Sequence, residues 1–219
     1  MKKCILIQGP SNHVNEIKSS FKDHDLIFST WVGEESKYDE SDIVIFNDHP
    51  QHPGYANFWY QKISTLNGLL KCKELGYTHI LKIRSDIIST KNDIFELFDD
   101  NKLNFLCWHY HEVYPNCKGY LVDYFMYGCV DKMIKMWDIK EMFCKVPEIV
   151  LTESFIQNLN EIPNFILYDM KNDYELYWIK NNIYLSSYVN VLYPDKYKKY
   201  DFGETIEHLN GNYLNDVIF

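Results

Sequence analysis

Three groups of residues in this chain have side chains that can do chemistry. The first is Arg84-Ser85-Asp86, which closes the run Ile80 to Ile83 in "THILKIRSDI". A carboxylate at a strand end can ligate Mg2+ or Mn2+, which take oxygen ligands and bridge to substrate phosphates. Arg84 or Lys82 can neutralise phosphate charge. On these residues alone, a plainer reading is stronger: Arg84 and Asp86 cap the strand and pair with each other, which contributes little where exposed. The second group is acidic. Glu153, in "PEIVLTESF", suits a general base if it stands in a cleft; structurally, Thr152 would cap a helix that Glu153 opens, with Glu148 just before it. Asp123 precedes an aromatic stretch read as a helix, whose N-terminus an acidic residue favours, and Gly128 would let a ligand approach the backbone. The third group is Cys107, His109 and His111, which share one face of a strand, with Cys117 close enough to add a fourth zinc ligand. That spacing matches no common zinc module, so a half-buried strand with histidines facing a cleft is preferred. His208 is a late, isolated histidine, either a metal ligand or an ordinary surface or core residue.

These groups need elements to position them. Lys3 to Ile7 reads as a strand stopping at Gln8-Gly9-Pro10, and "VNEIKSSF" as a short helix. Leu26 to Ser29 and Ile43 to Phe46 read as strands running out into Thr30-Trp31 and Asn47-Asp48. The clearest helix is Asn57 to Leu75, with Trp59, Ile63, Leu66 and Leu70 on one stripe, Asn57 as N-cap and Gly76 as the stop. "DIFELF" reads as a short helix, "LNFLCWHYH" as a strand, and Phe125 to Trp137 and Ser154 to Leu159 as helices. Strand signals return weakly in "NIYLSSYVNVLY". Alternating strands and helices predict an α/β fold with a mostly parallel central sheet flanked by helices. In such sheets a ligand lies beyond the carboxyl ends of the strands, where the four polar strand ends would meet.

The chain has 219 residues, which suits a single domain over 1–219. Its net charge of −9 makes it a poor nucleic-acid binder, and a phosphorylated ligand would need a cation or a local basic cluster. No run approaches a membrane span, and the short apolar run after Met1-Lys2-Lys3 is a strand rather than a signal peptide. The six cysteines are scattered without a Cys-x-x-Cys, as expected of reduced thiols in the cytoplasm.

"IFSTWVGEE", "NDHPQHPG", "NFWYQKISTLNGL" and "YTHILKIRSDI" occur in this order. The series resembles the WavE-like glycosyltransferases of lipopolysaccharide synthesis, with related domains in large DNA viruses, over about Ile27 to Ile88; "VDYFMYG" and "PEIVLTESF" fit more loosely. The resemblance implies a GT-A-like (Rossmann-like) fold and transfer of a hexose or deoxyhexose from a UDP- or GDP-linked donor to a glycan hydroxyl, assisted by Mn2+ or Mg2+. It is in keeping with a cytoplasmic location (host cytoplasm for a viral protein) and with a place in a larger multidomain glycosyltransferase. Arg84-Ser85-Asp86 takes the place of an Asp-x-Asp-type motif, with Asp86, and a late His208, as metal ligands and Arg84 where the first Asp would stand. The resemblance further puts Gln8, Gly9 and Pro10 beside the nucleotide, Ser29, Thr30 and Trp31 at the base, and Asp48 on the base or ribose. Gln61 and Lys62 face the donor, and Glu153, or else Asp123, is the base. Two other readings are a non-catalytic nucleotide-sugar or glycan-binding module and a sugar-phosphate or nucleotidyl transferase.

Overall fold

The computed structural model describes residues 1–89, 94–105, 108–109, 120–121, 123, 125–140, 147–159, 164–165, 176–180 and 183–184. The elements run β1 (Lys3–Gln8), α1 (Val14–Ser20), β2 (Leu26–Trp31), β3 (Ile43–Asn47), α2 (Phe58–Glu74), β4 (His79–Arg84) and β5 (Ile87–Ser89). They continue with β6 (Asn104–Phe105), β7 (Trp108–His109), β8 (Tyr120–Leu121), β9 (Phe125–Cys129), α3 (Val130–Trp137) and α4 (Pro147–Leu159). Last come β10 (Asn164–Phe165), β11 (Leu176–Lys180) and β12 (Ile183–Tyr184). The protein is α/β, with a seven-stranded mixed sheet ordered β10-β6-β9-β4-β1-β2-β3 and helices on both faces. β3, β2, β1 and β4 are mutually parallel, and β9 runs against both β4 and β6. No described helix is long and apolar enough to cross a membrane.

Alternation along the strands sorts the core in two. Ile5, Ile7, Phe28, Leu81 and Ile83 face α1 through Val14, Ile17 and Phe21. Cys4, Leu6, Ile27 and Ile80 face the other way, against Phe58, Leu69 and Cys72 of α2 and the apolar sides of α3 and α4. Because both faces are covered, β1 reads as a continuous apolar run rather than a half-polar one. The stripe that α2 buries differs from the expected one. Ser64, Thr65, Gly68, Leu69 and Cys72 are buried, while Leu70 is 48% exposed. A Cβ on Gly68 would come within 2.5 Å of the Leu6 side chain, so small residues let the helix sit close to β1 while Trp59 and Leu66 pack at its flanks. α2 stops as expected: Gly76 takes a φ of 81° and the Tyr77 amide donates to the Cys72 carbonyl at 3.0 Å.

Four expectations fail in the second half. Phe125 to Cys129 is the strand β9, paired with β4, and the helix starts only at Val130. Gly128 lies opposite Ile80, and a Cβ there would meet Leu103 at 2.4 Å, so the glycine admits a neighbouring segment rather than a ligand. α4 begins at Pro147, so Thr152 is inside the helix and not at its N-cap position. Proline is favoured at a first helical position because the amide it lacks would have had no intrahelical partner there. "LNFLCWHYH" divides between β6, in the main sheet, and β7, which pairs with β8.

Candidate functional site

Strands β1, β2 and β3 step toward one edge of the sheet, and the next strand, β4, pairs on the other side of β1. This reversal leaves a crevice beyond the carboxyl ends of β1 and β4, the general place for a ligand in an open α/β sheet. Gln8 and Arg84 are register partners there. The Ser85 amide donates to the Gln8 carbonyl at 2.9 Å, and the Gly9 amide to the Ser29 carbonyl at 3.1 Å. Gly9 has a φ of 127°, and a Cβ on it would lie 2.6 Å from Ser85 Oγ, so only glycine fits.

The cavity above this floor has a volume of about 630 Å3. Its far wall is the entry to α2, where Ala56 and Asn57 have φ of 48° and 61°. Two successive non-glycine residues in the left-handed region cost on the order of 1–3 kcal/mol each and mark a segment held in place by its surroundings. The Trp59 amide holds it by donating to the Pro53 carbonyl at 3.0 Å. Asn57 stands at the expected N-cap position but makes no side-chain capping bond, and the first turn of α2 holds no acidic residue. Trp31 forms an aromatic corner, stacked on His49 at 5.3 Å and meeting the Tyr60 edge at 4.7 Å. The loop after Pro10 is clamped by Glu34, whose Oε2 accepts from the Ser11 amide at 3.0 Å and the Ser11 hydroxyl at 2.8 Å. Burial opposes the Glu34 charge, but bonds from Thr30, Ser11 and Lys37 outweigh it and hold the carboxyl below its ordinary range.

At the floor, Arg84 reaches Asp86 through two parallel bonds, Nε to Oδ1 at 3.0 Å and Nη2 to Oδ2 at 2.6 Å. Burial works against the guanidinium charge, yet Asp86, Asp123 and Glu148 outweigh it and raise its pKa. Two residues back on the same face of β4, Lys82 is fully buried, donating to the Asp123 carbonyl with its ammonium 5.1 Å from the Trp137 ring. Burial brings the Lys82 pKa down to about 8, against the pull of Asp123. Burial and the neighbouring Asp123 push Glu148 up to about 7. One cluster of alternating charge therefore runs from the cavity floor into the core.

The structure brings together Gln8, Gly9, Pro10, Trp31, Gln61, Arg84 and Asp86 around the cavity. Ser29 and Thr30 do not line it. Both are fully buried: Ser29 donates to the Ser64 carbonyl at 2.6 Å, and Thr30 contacts Ser11 at 2.9 Å. They are structural ties between β2 and its neighbours. Asp48 is exposed outside the cavity, and Lys62 lies over the Trp59 ring at 5.3 Å, also outside the lining. Asp123 is buried beneath Arg84 rather than in the cavity wall. Glu153 is on α4 and His109 on β7; their side chains, together with Cys107, His111, Cys117 and His208, lie outside the described residues. Asn12, His13 and Tyr60 line the cavity and were not singled out from sequence; Ser85, named there within Arg84-Ser85-Asp86, and Asn57, named only as an N-cap, line it too, and Glu148 joins the charged cluster. Pro147 at the first position of α4 was the signal that would have placed Glu148 in the helix's opening turn.

Among the described residues, no three His, Cys, Asp or Glu side chains gather as a metal site would require. Both oxygens of Asp86, the carboxylate in the described lining, are bonded to a guanidinium. Mg2+ and Mn2+ need several oxygen ligands and little positive charge beside them, so this donor set does not fit either ion. Comparison with models of known families finds no match to this chain, and comparison with curated proteins finds none either.

Proposed function

We propose that this chain is a glycosyltransferase of GT-A-like architecture, moving a sugar from a UDP- or GDP-linked donor to a glycan hydroxyl. The observation that carries the reading is the cavity at the β1–β4 reversal, where Arg84, Gln8 and the start of α2 face one space. Its volume of about 630 Å3 falls in the range of small-molecule and cofactor sites. The resemblance of the Ile27 to Ile88 segment supports the same reading. In the reaction, the acceptor oxygen bonds to the anomeric carbon as the bond from that carbon to the phosphate oxygen breaks. The diphosphate leaves with the electron pair, and the acceptor proton passes to a carboxylate. Arg84 stabilises the leaving diphosphate. Glu153 remains the proposed base, with Asp123, which is buried outside the cavity lining, only as the second choice.

A screen of UDP- and GDP-sugars by thermal shift, followed by mass spectrometry of products with a glycan acceptor mixture, tests the reading. Stabilisation by at least one donor and a mass gain of one sugar on an acceptor are expected. The pairing of Asp86 with Arg84 favours a second reading, a non-catalytic nucleotide-sugar-binding module. Donor binding without hydrolysis or transfer would select it.

A further inference from the structure

The first strand and the longest described helix touch through sulfur. Cys4 on β1 and Cys72 on α2 are fully buried free thiols, and Cys4 Sγ donates to Cys72 Sγ at 3.7 Å. The contact follows from how closely the helix sits. Cys4 and Leu6 share a face of β1, and Gly68 and Cys72 stand one turn apart on α2. A Cβ on Gly68 would come within 2.5 Å of the Leu6 side chain. The same close approach, one turn further along α2, brings the two sulfurs together. A buried cysteine ordinarily serves as a small apolar residue. Two in contact, on elements 68 residues apart in the chain, also meet the geometric need of thiol–disulfide exchange. From 3.7 Å, the sulfurs have only about 1.7 Å to close before reaching disulfide bonding distance. The hydrogen bond to Cys72, with burial, pushes the Cys4 thiol above its ordinary range, so it stays protonated and unreactive while the fold is closed.

We infer that Cys4 and Cys72 form a redox latch, which a low-molecular-weight disulfide closes by converting the two thiols to one disulfide bond between β1 and α2. Both sulfurs are enclosed, so exchange takes place when α2 lifts locally from the sheet. One cysteine, as thiolate, attacks a sulfur of the reagent and releases one small thiol. The other attacks the resulting mixed disulfide and releases the second. The two protons lost by the cysteines end on the two released thiols, and the reagent is reduced as the pair is oxidised. β1 ends at Gln8 in the cavity floor, and α2 begins at the cavity wall. The latch therefore fastens the two elements that bound the cavity, from their ends remote from it. Nothing in this depends on what the cavity binds.

Equilibrating the full chain across a series of reduced-to-oxidised glutathione ratios, once folded and once in concentrated urea, tests the latch. Acid quenching, alkylation and peptide mapping by mass spectrometry identify the bonds. A Cys4–Cys72 cross-link is expected in the folded chain. Its equilibrium constant should be at least about tenfold greater than in urea, because the fold already holds together what the unfolded chain must gather. Linkage then requires the cross-linked chain to melt about 3–6 °C above the reduced one, and dithiothreitol to reverse the shift. Cys72→Ser keeps a small side chain and should lose both the cross-link and the shift. A constant no greater in the folded chain than in urea overturns the latch. So does glutathione retained on Cys4 or Cys72 as a mixed disulfide, or the absence of a bond between them at every ratio. A melting shift that survives in Cys72→Ser belongs to another cysteine pair and overturns it too.

Discussion

The two faces of the central sheet are built from the same strands and do different things. On the α1 face, Ile5, Ile7, Leu81 and Ile83 pack against Val14, Ile17 and Phe21 up to the carboxyl ends of β1 and β4. On the α2 face the core starts equally apolar, with Cys4, Leu6 and Ile80, and then turns polar along each strand: Gln8 on β1, Ser29 on β2, Lys82 and Arg84 on β4. Because side chains alternate with a period of two, one strand can serve packing on one face and chemistry on the other without changing its backbone. What the difference teaches is where mutations should be silent: substitutions on the α1 face should change stability and leave binding alone, whereas those on the α2 face near the carboxyl end should change binding.

The largest expected effect tests the packing face. Leu81→Ala removes a fully buried side chain and should cost about 2–5 kcal/mol in urea denaturation, while the folded fraction keeps its nucleotide affinity. A loss of affinity in that fraction would break the division between faces.

The next tests the charged cluster through pH. Unfolded, Glu148 titrates near its ordinary 4.5; folded, near 7. Between these values the folded chain holds a proton that the unfolded chain has lost, so this group's contribution to stability declines as pH rises through the interval and stays low above it. Glu148→Gln cannot lose that proton, so the variant should be more stable than the wild type at pH 8, by on the order of 1–3 kcal/mol, and equal to it at pH 4. Thermal melts at the two pH values check the sign, and a difference that does not change with pH would remove Glu148 from the cluster.

A smaller effect concerns the tie between β2, β3 and α2. Asn47 donates to Ser29 Oγ at 3.0 Å and to the Thr30 carbonyl at 2.7 Å and accepts from Asn67 at 2.8 Å. Asn47→Ala should cost about 1–3 kcal/mol by leaving buried groups unpaired, and it should weaken binding only as far as α2 shifts over the cavity. The smallest effect sharpens the comparison most. Gln8→Met replaces an amide whose buried Oε1 has no partner with an apolar group of similar length, so it should raise stability by up to about 1 kcal/mol while weakening nucleotide-sugar binding. Opposite signs in stability and affinity would mark Gln8 as kept for a ligand.

Much of the first half was legible in the sequence. The apolar runs of β1, β2 and β4 and the polar residues that end them announced a sheet, with a cavity found at its carboxyl edge, and Gly76 announced the end of α2. The sequence signal weakened where long-range pairing decided the structure. Phe125-Met126-Tyr127 fits a helix or a strand by periodicity, and it is β9 because β4 offers it a partner. The stripe on α2 was misjudged because close approach to Leu6 rewards a glycine over the larger residues that a hydrophobic pattern favours. Gln8, Trp31 and Arg84 were legible as strand-end polar or aromatic residues, but Asn57 and Tyr60 were not, since only the geometry of the α2 entry turns them toward the cavity.

The register of Gln8 with Arg84 also says something about time. These neighbours are separated in the chain by α1, β2, β3 and α2, and parallel pairing leaves no short hairpin to bring them together. During synthesis the cavity has no floor until β4 has emerged and docked against β1. Closing so long a loop before its contacts can form slows folding. Ligand protection in a pulse-proteolysis time course should therefore appear with the last, cooperative folding step rather than with early helix formation.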